Sequence, residues 1–287
     1  MENKNLMTAS EVIVNSGLNF EVVGTKIYDV NGKELSNYKA IQRGDNGHTF
    51  QVAKKGYAII QNHEALSIMD EVVESGMAKY DKAHVYKNGA VMSVRVEVPF
   101  SYDVVGDEIK TYLNVSTSHD STLPTCIDLY QYRLVCLNGM MGMKKTQSSR
   151  FRHTINYKMK IEDAKKMFEE YKIIFNQQKE IYTEMARHQM NSLTVDTFLN
   201  ELLNIKNVEE VATKTLNQKE LIENLFAYGK GNSRSGVAGT KWAAFNAVTE
   251  YVDHHRSTKG DESNREYSSI YGSGATMKEK AFALLTK

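Results

Sequence analysis

Two prolines among 287 residues exclude a proline-rich linker, and no apolar run approaches the roughly 18–20 residues a bilayer-spanning helix needs. Cysteine is equally scarce. Cys126 and Cys136 lie in an apolar stretch with no CxxC or HExxH spacing and no local Cys/His cluster. They read as buried thiols in a reducing compartment, not as a disulfide or a zinc site. The opening MENKNLMTASEVIV lacks a basic n-region and a small-residue cleavage site, so the expectation is a cytoplasmic protein without membrane attachment. No G-x-x-x-x-G-K-[ST] phosphate loop is present, since Gly229-Lys230-Gly231 and Gly272-Ser273-Gly274 are too short for one.

The most telling scarcity is local. Between Asp128 and Glu162, 33 consecutive residues contain no carboxylate, yet they hold Arg133, Lys144, Lys145, Arg150, Arg152, Lys158 and Lys160. The formal net charge is only +1, so the remainder of the chain sums to −6 once these seven cations are set aside. A basic stretch on a mildly acidic body suits an anionic partner. Tyr130, Tyr132, Phe151, His153 and Tyr157 are interleaved with the cations. Phosphates need charge and unpaired bases need flat stacking surfaces, so the combination fits single-stranded nucleic acid. A solvated basic face ahead of a helix is the plainer alternative.

The N-terminal half reads as hairpins. Asn31-Gly32, Asn46-Gly47, Asn88-Gly89 and Gly106-Asp107 mark turns between strand-like segments. Thr8, with Glu11 three residues on, forms a capping-box signature for a short helix that Gly17 can end. His63–Val73 reads as an amphipathic helix closed by Gly76. Met92, Val94, Val96 and Val98 alternate with polar residues, and Ile109–Val115 supplies an antiparallel partner with one face covered and the other wet. Thr125–Cys136 reads as another strand. Near residue 161 the period changes to helical: Ile161, Ala164, Phe168, Tyr171, Ile174, Phe175, Ile181, Tyr182 and Met185, with Glu162 and Asp163 placed in the first turn. Shorter helices are expected over Thr194–Leu203, capped by Thr194 or Ser192, and over Gln218–Phe226. A mobile loop is expected at Tyr228–Gly239, then a helix over Lys241–His255 capped by Thr240, a flexible stretch Arg256–Ser269 and a final helical turn or two at Met277–Leu285. The fold class is α+β: a mostly antiparallel body over residues 1–160 and a helical region over 161–287, which can be layers of one domain.

No poised catalytic group emerges. His119-Asp120-Ser121 has the residue types of acyl transfer, but neighbours on a strand face opposite ways, so a turn is the better account. His254 and His255 diverge by roughly 100° on a helix, so one of them at most joins a given site. If Arg150–Tyr157 is a strand, Arg150, Arg152, Thr154 and Asn156 share a donor-rich face that could follow a phosphate backbone. Arg133 and Asn138 join it if the preceding strand is its neighbour. The opposing possibility is an arginine paired across the sheet with Glu97 or Asp128. The G-M-M-G-M run Gly139–Met143 suits either a partner-facing turn or a core-packed one, and Trp242 and Phe245 read as core.

Several segments in order resemble a family of unknown function carried by phages, plasmids and conjugative elements. They are GYAIIQNHEALSIMDEVV (Gly56–Val73), YLNVSTSHDST (Tyr112–Thr122), YRLVCLNGM (Tyr132–Met140), RFRHT (Arg150–Thr154) and WAAFNAVTEYVDHHR (Trp242–Arg256). The best markers are Arg133, Cys136 and Asn138; Arg152, His153 and Thr154; and Asn246, Ala247, Glu250 and Tyr251. The resemblance implies a cytoplasmic mobile-element protein and supplies no activity. A more distant similarity of plan is to phage single-strand annealing proteins, in which a small sheet and a helix build rings around a basic groove. That analogy implies a homo-oligomer.

The functional expectation is a non-enzymatic protein without metal or cofactor that binds single-stranded nucleic acid in recombination or replication. Arg133, Lys144, Lys145, Arg150, Arg152, His153, Tyr157 and Lys158 are the candidate contacts, with the 228–239 loop closing over the strand. The alternative partner is a host protein that the chain blocks.

Overall fold

Three Asn-Gly pairs bend the chain where they are expected. A computed structural model describes residues 8–74, 78–136, 138–141, 148–151 and 157–287. Strands β1 (Val22–Thr25), β2 (Tyr38–Arg43) and β3 (Thr49–Lys54) form an antiparallel three-stranded sheet. Gly47 turns β2 into β3 at φ +72°, and Gly32 turns the small Tyr28–Glu34 bridge at φ +78°. Asn88 and Gly89 both take positive φ between β4 (Lys79–Tyr86) and β5 (Val91–Val104). A Cβ on Gly89 would come within 2.9 Å of the Phe20 ring, so that position is closed to side chains twice over. The fourth turn is centred on Val105-Gly106, one residue earlier than expected, and Asp107 opens β6 (Asp107–Ser118).

The larger sheet hydrogen-bonds in the order β4-β5-β6-β7-β8, where β7 is Thr125–Arg133 and β8 is Asn138–Met141; β9 (Ser148–Phe151) also pairs with β7. The chain forms two units, and β5, β6 and β7 each give residues to both.

The first unit comprises residues 1–99, 112–129 and 148–171. Helix α1 (Ala9–Asn15) has the capping box read from Thr8 and Glu11, and Gly17 follows it at φ +71°. Helix α2 is Asn62–Glu74; Gly76 lies outside the described residues. Leu18, Ile41, Ile60, Leu66, Met69, Val94, Val96 and Val115 are buried. The second face of the β5–β6 hairpin is wet at one end only: Ser101, Asp103 and Glu108 are exposed, whereas Ser93, Asn114 and Ser116 are buried, and the Ser93 hydroxyl donates to the Asn114 carbonyl at 2.8 Å. A covered polar face needs internal partners, and Ser93 and Asn114 supply them to each other.

The second unit comprises residues 100–111, 130–147 and 172–287. The long helix α3 (Tyr157–Arg187) begins in the first unit, four residues before the expected start, so Glu162 and Asp163 fall beyond its first turn. Then come α4 (Ser192–Leu203), α5 (Thr213–Tyr228), α6 (Lys241–Glu250), α7 (Glu262–Tyr271) and α8 (Ser273–Leu285). Asn191, not Thr194 or Ser192, caps α4 by accepting from the Thr194 amide at 2.9 Å. Thr240 caps α6 as expected, and α6 continues into a π-helical turn, Tyr251–His255. The stretch read as flexible, Arg256–Ser269, holds most of α7, which is capped by Asp261. Trp242, Phe245, Val248, Tyr182 and Phe282 pack in one core, with Tyr182 and Trp242 ring centroids 4.9 Å apart. Among the described residues no helix is long and apolar enough to cross a membrane.

His119-Asp120-Ser121 is a turn. The buried His119 ring bonds the Asn62 carbonyl at 2.9 Å, while Asp120 accepts from the Thr122 amide and hydroxyl and from Lys87. Burial opposes ionisation of Asp120, but those hydrogen bonds outweigh it and hold its carboxyl below the ordinary 3.8. A depressed carboxyl contributes stability above its unfolded value and loses it as pH falls through the folded one. Asp120→Asn should therefore cost about 1 kcal/mol near neutrality. In urea titrations the gap to the wild type should close as pH drops below 3.8.

Candidate functional site

Asp107 and Arg133 have no exposed surface, and they lie against each other. Asp107 enters at the start of β6 and Arg133 at the end of β7, 26 residues apart in sequence. The Asp107 Oδ2 accepts from Arg133 Nε at 2.8 Å, with Arg133 Nη2 at 2.6 Å, and from the Trp242 indole at 2.9 Å. Its Oδ1 accepts from Arg234 Nη1 at 3.2 Å. The remaining Arg133 donor, Nη1, reaches the Lys230 carbonyl at 2.9 Å and the Asn232 carbonyl oxygen at 3.0 Å. Asn232 in turn donates to the carbonyls of Leu225 and Ala243, and the Lys230 amide donates to Glu250 at 3.0 Å. A planar guanidinium with five donors can serve three directions at once, which an ammonium cannot do with the same fixed geometry.

The connector expected to be mobile is thus pinned. Asn232 and Val237 are fully buried between α5 and α6, and Gly231 takes φ +76° with Arg133 Nη2 only 2.8 Å from where a Cβ would stand. Glycine is there because a buried arginine approaches the backbone, not to make the segment loose.

A second charge pair lies in the same unit. Lys278 Nζ contacts Asp253 Oδ1 at 2.5 Å and the Gly139 carbonyl at 2.8 Å, and the Gly139 amide donates to Asp253 Oδ2 at 2.8 Å. Burial pushes the Lys278 ammonium below its ordinary 10.5, with Asp253 pulling the other way. Gly139 has no room for a side chain, since a Cβ would meet the Tyr130 ring at 2.2–2.7 Å. The Gly-Met run is therefore core-packed as far as it is described, with Met140 fully buried in β8. His254 bonds the Cys136 carbonyl at 3.1 Å. Both cysteines are buried, and among the described residues no group of three or more His, Cys, Asp or Glu side chains could hold a metal.

The candidate contacts fare unequally. Arg133 is corrected: it lies inside, neutralised by Asp107, and not on a basic face. Of the two carboxylates expected to pair with a strand arginine, Glu97 and Asp128, Glu97 pairs with Lys79 at 2.9 Å. Tyr130 is buried and offers no stacking face. Arg150 stands in β9 opposite Cys126. The expected strand Arg150–Tyr157 does not run through, because Tyr157 and Lys158 open α3. Lys144, Lys145, Arg152 and His153 lie outside the described residues. Sequence reasoning missed Asp107, taken only as part of a turn, and Arg234. Asp107 left one signal: it is an acid just past a tight turn in a strand otherwise rich in buried residues.

Residues 49–270 match the model of the family described as Domain of unknown function (DUF932). The chain belongs to that family. No curated protein and no solved structure matches it. Within the DUF932 match, the markers Arg133 and Glu250 meet through the Lys230 backbone, which accepts from the first and donates to the second, and the marker Cys136 accepts from His254.

Removing Asp107 leaves a buried guanidinium without its counter-charge. Asp107→Asn should cost about 3–5 kcal/mol, and the double variant Asp107→Leu with Arg133→Met should recover much of that loss. Urea midpoints read both. A single variant within about 1 kcal/mol of wild type contradicts the assignment.

Proposed function

We propose that this DUF932 protein is a cytoplasmic protein of a phage or mobile element that binds single-stranded nucleic acid in recombination or replication. The observation carrying the reading is the carboxylate-free run between Asp128 and Glu162, with its cations and rings interleaved. Setting Arg133 aside leaves Lys144, Lys145, Arg150, Arg152, Lys158 and Lys160 as the cations of that run. The pairing of β9 with β7 supports it by fixing the backbone at Arg150, and the segment then leads into a 31-residue helix. An antiparallel sheet that feeds a long helix is also the plan of the annealing proteins, which is an analogy of architecture only. The mobile-element assignment rests on the motif resemblance.

A fluorescent oligonucleotide titrated at several salt concentrations tests the reading. Four phosphate contacts through Lys144, Lys145, Arg150 and Arg152 should give a log–log slope of about −3. The pair Lys144→Glu and Arg150→Glu should abolish binding without moving the thermal midpoint. Millimolar affinity, or indifference to that double substitution, overturns it in favour of a protein partner.

A further inference from the structure

We propose that the connector from Tyr228 to Gly236 is a second nucleotide-binding patch, in which the Tyr228 ring stacks on a base and Lys230 and Arg234 hold the flanking phosphates. This deepens the single-strand reading above and rests on it.

Tyr228 ends α5 with 84% of its surface exposed. A single exposed ring is ordinary; the charge pattern around this one is not. Residues 224–249 contain one carboxylate-free run broken by no acid from Asn224 to Thr249, and it carries Lys230, Arg234 and Lys241. Glu250, the next residue, is buried and accepts the Lys230 amide. Lys230 is exposed, with its own amide and carbonyl both hydrogen-bonded, so its backbone is fixed while its ammonium has no partner among the described residues.

Arg234 is 48% exposed, and only its Nη1 is engaged, to the Gly106 carbonyl and Asp107 Oδ1. Among the described residues its Nε and Nη2 make no hydrogen bond. The charge count matters most. Asp107 offers one negative charge and Arg133 beside it is fully buried, so Arg133 must be the cation it neutralises. Arg234 keeps its positive charge and faces water with two donors to spare, the fork that suits a phosphate. Ser233 and Ser235 on either side are exposed hydroxyl donors. Buried Asn232 and Val237 flank this tip, so little conformational freedom is left to lose on binding. An exposed ring, followed within seven residues by a free ammonium, a guanidinium with Nε and Nη2 still open and two hydroxyls, is chemistry for a base and its phosphates.

Titration of a fluorescent oligothymidylate against the full chain decides the matter. Tyr228→Ala should weaken binding by roughly fivefold or more while leaving the salt slope unchanged, because stacking releases no counterions. Lys230→Ala with Arg234→Ala should flatten the slope by about 1.4, or about 0.7 per lost phosphate contact, and Arg234→Lys should keep most of its share. Thermal midpoints identify any variant that fails to fold, in which case Lys230→Ala alone carries the test, with a slope flattened by about 0.7. If these variants bind like wild type while Lys144→Glu with Arg150→Glu does not, the patch is overturned and the basic-segment reading stands. If only the patch variants weaken binding, the patch stands and the segment falls. A wild type that ignores the oligonucleotide at low salt overturns both.

Discussion

A carboxylate with no exposed surface must be met by donors from inside the protein, and Asp107 is met by three side chains from three elements of the fold. Arg133 comes from the end of β7, Arg234 from the connector and Trp242 from the first turn of α6. Stripping water from such a charge costs several kcal/mol, and the cost is recovered only when every donor is in place. The two strand ends, the connector and α6 are therefore coupled. None can shift far without exposing an unpaired charge in an apolar surrounding.

The same requirement explains the order of residues 228–239. Composition argues for looseness, with four glycines and two serines in twelve residues. The Lys230 carbonyl and the Asn232 side chain, however, are the acceptors that a buried guanidinium needs, across sequence separations of 97 and 99 residues. Glycine at 231 is then a steric demand made by Arg133. Rigidity here comes from the distant Arg133 guanidinium acting with the loop's own buried Asn232, so no local rule could have found it.

That contrast marks where the sequence is legible. Turns and caps depend on neighbours within four residues, and Thr8 with Glu11, Asn46-Gly47, Asn88-Gly89 and Thr240 are all found as read. The start of α3 was legible as well. Tyr157 falls in the same three-and-four spacing as Ile161, Ala164, Phe168 and Tyr171, but the period-two pattern Phe151, His153, Ile155, Tyr157 competes with it and claimed the residue for a strand. An arginine in a strand can meet a phosphate or a carboxylate, and for Arg133 the carboxylate is Asp107 on β6, not Glu97 or Asp128. Strand register decides such pairs, and a one-dimensional pattern does not carry it.

Burying Arg133 also redistributes the charge that composition reports. A formal balance of +1 treats each cation as equal, whereas a guanidinium neutralised in the interior adds nothing to the field outside. The run from residue 129 to 161 therefore presents one positive charge fewer than its sequence suggests. Residues 224–249, where no cluster of cations draws the eye, gain importance because Asp107 faces two guanidinium groups with one charge, and the surplus falls on the exposed Arg234. A buried ion pair that serves folding can in this way set which neighbouring side chain carries charge to the surface. Asp107 holds the second unit together and, by being saturated, leaves the tip of the connector positive.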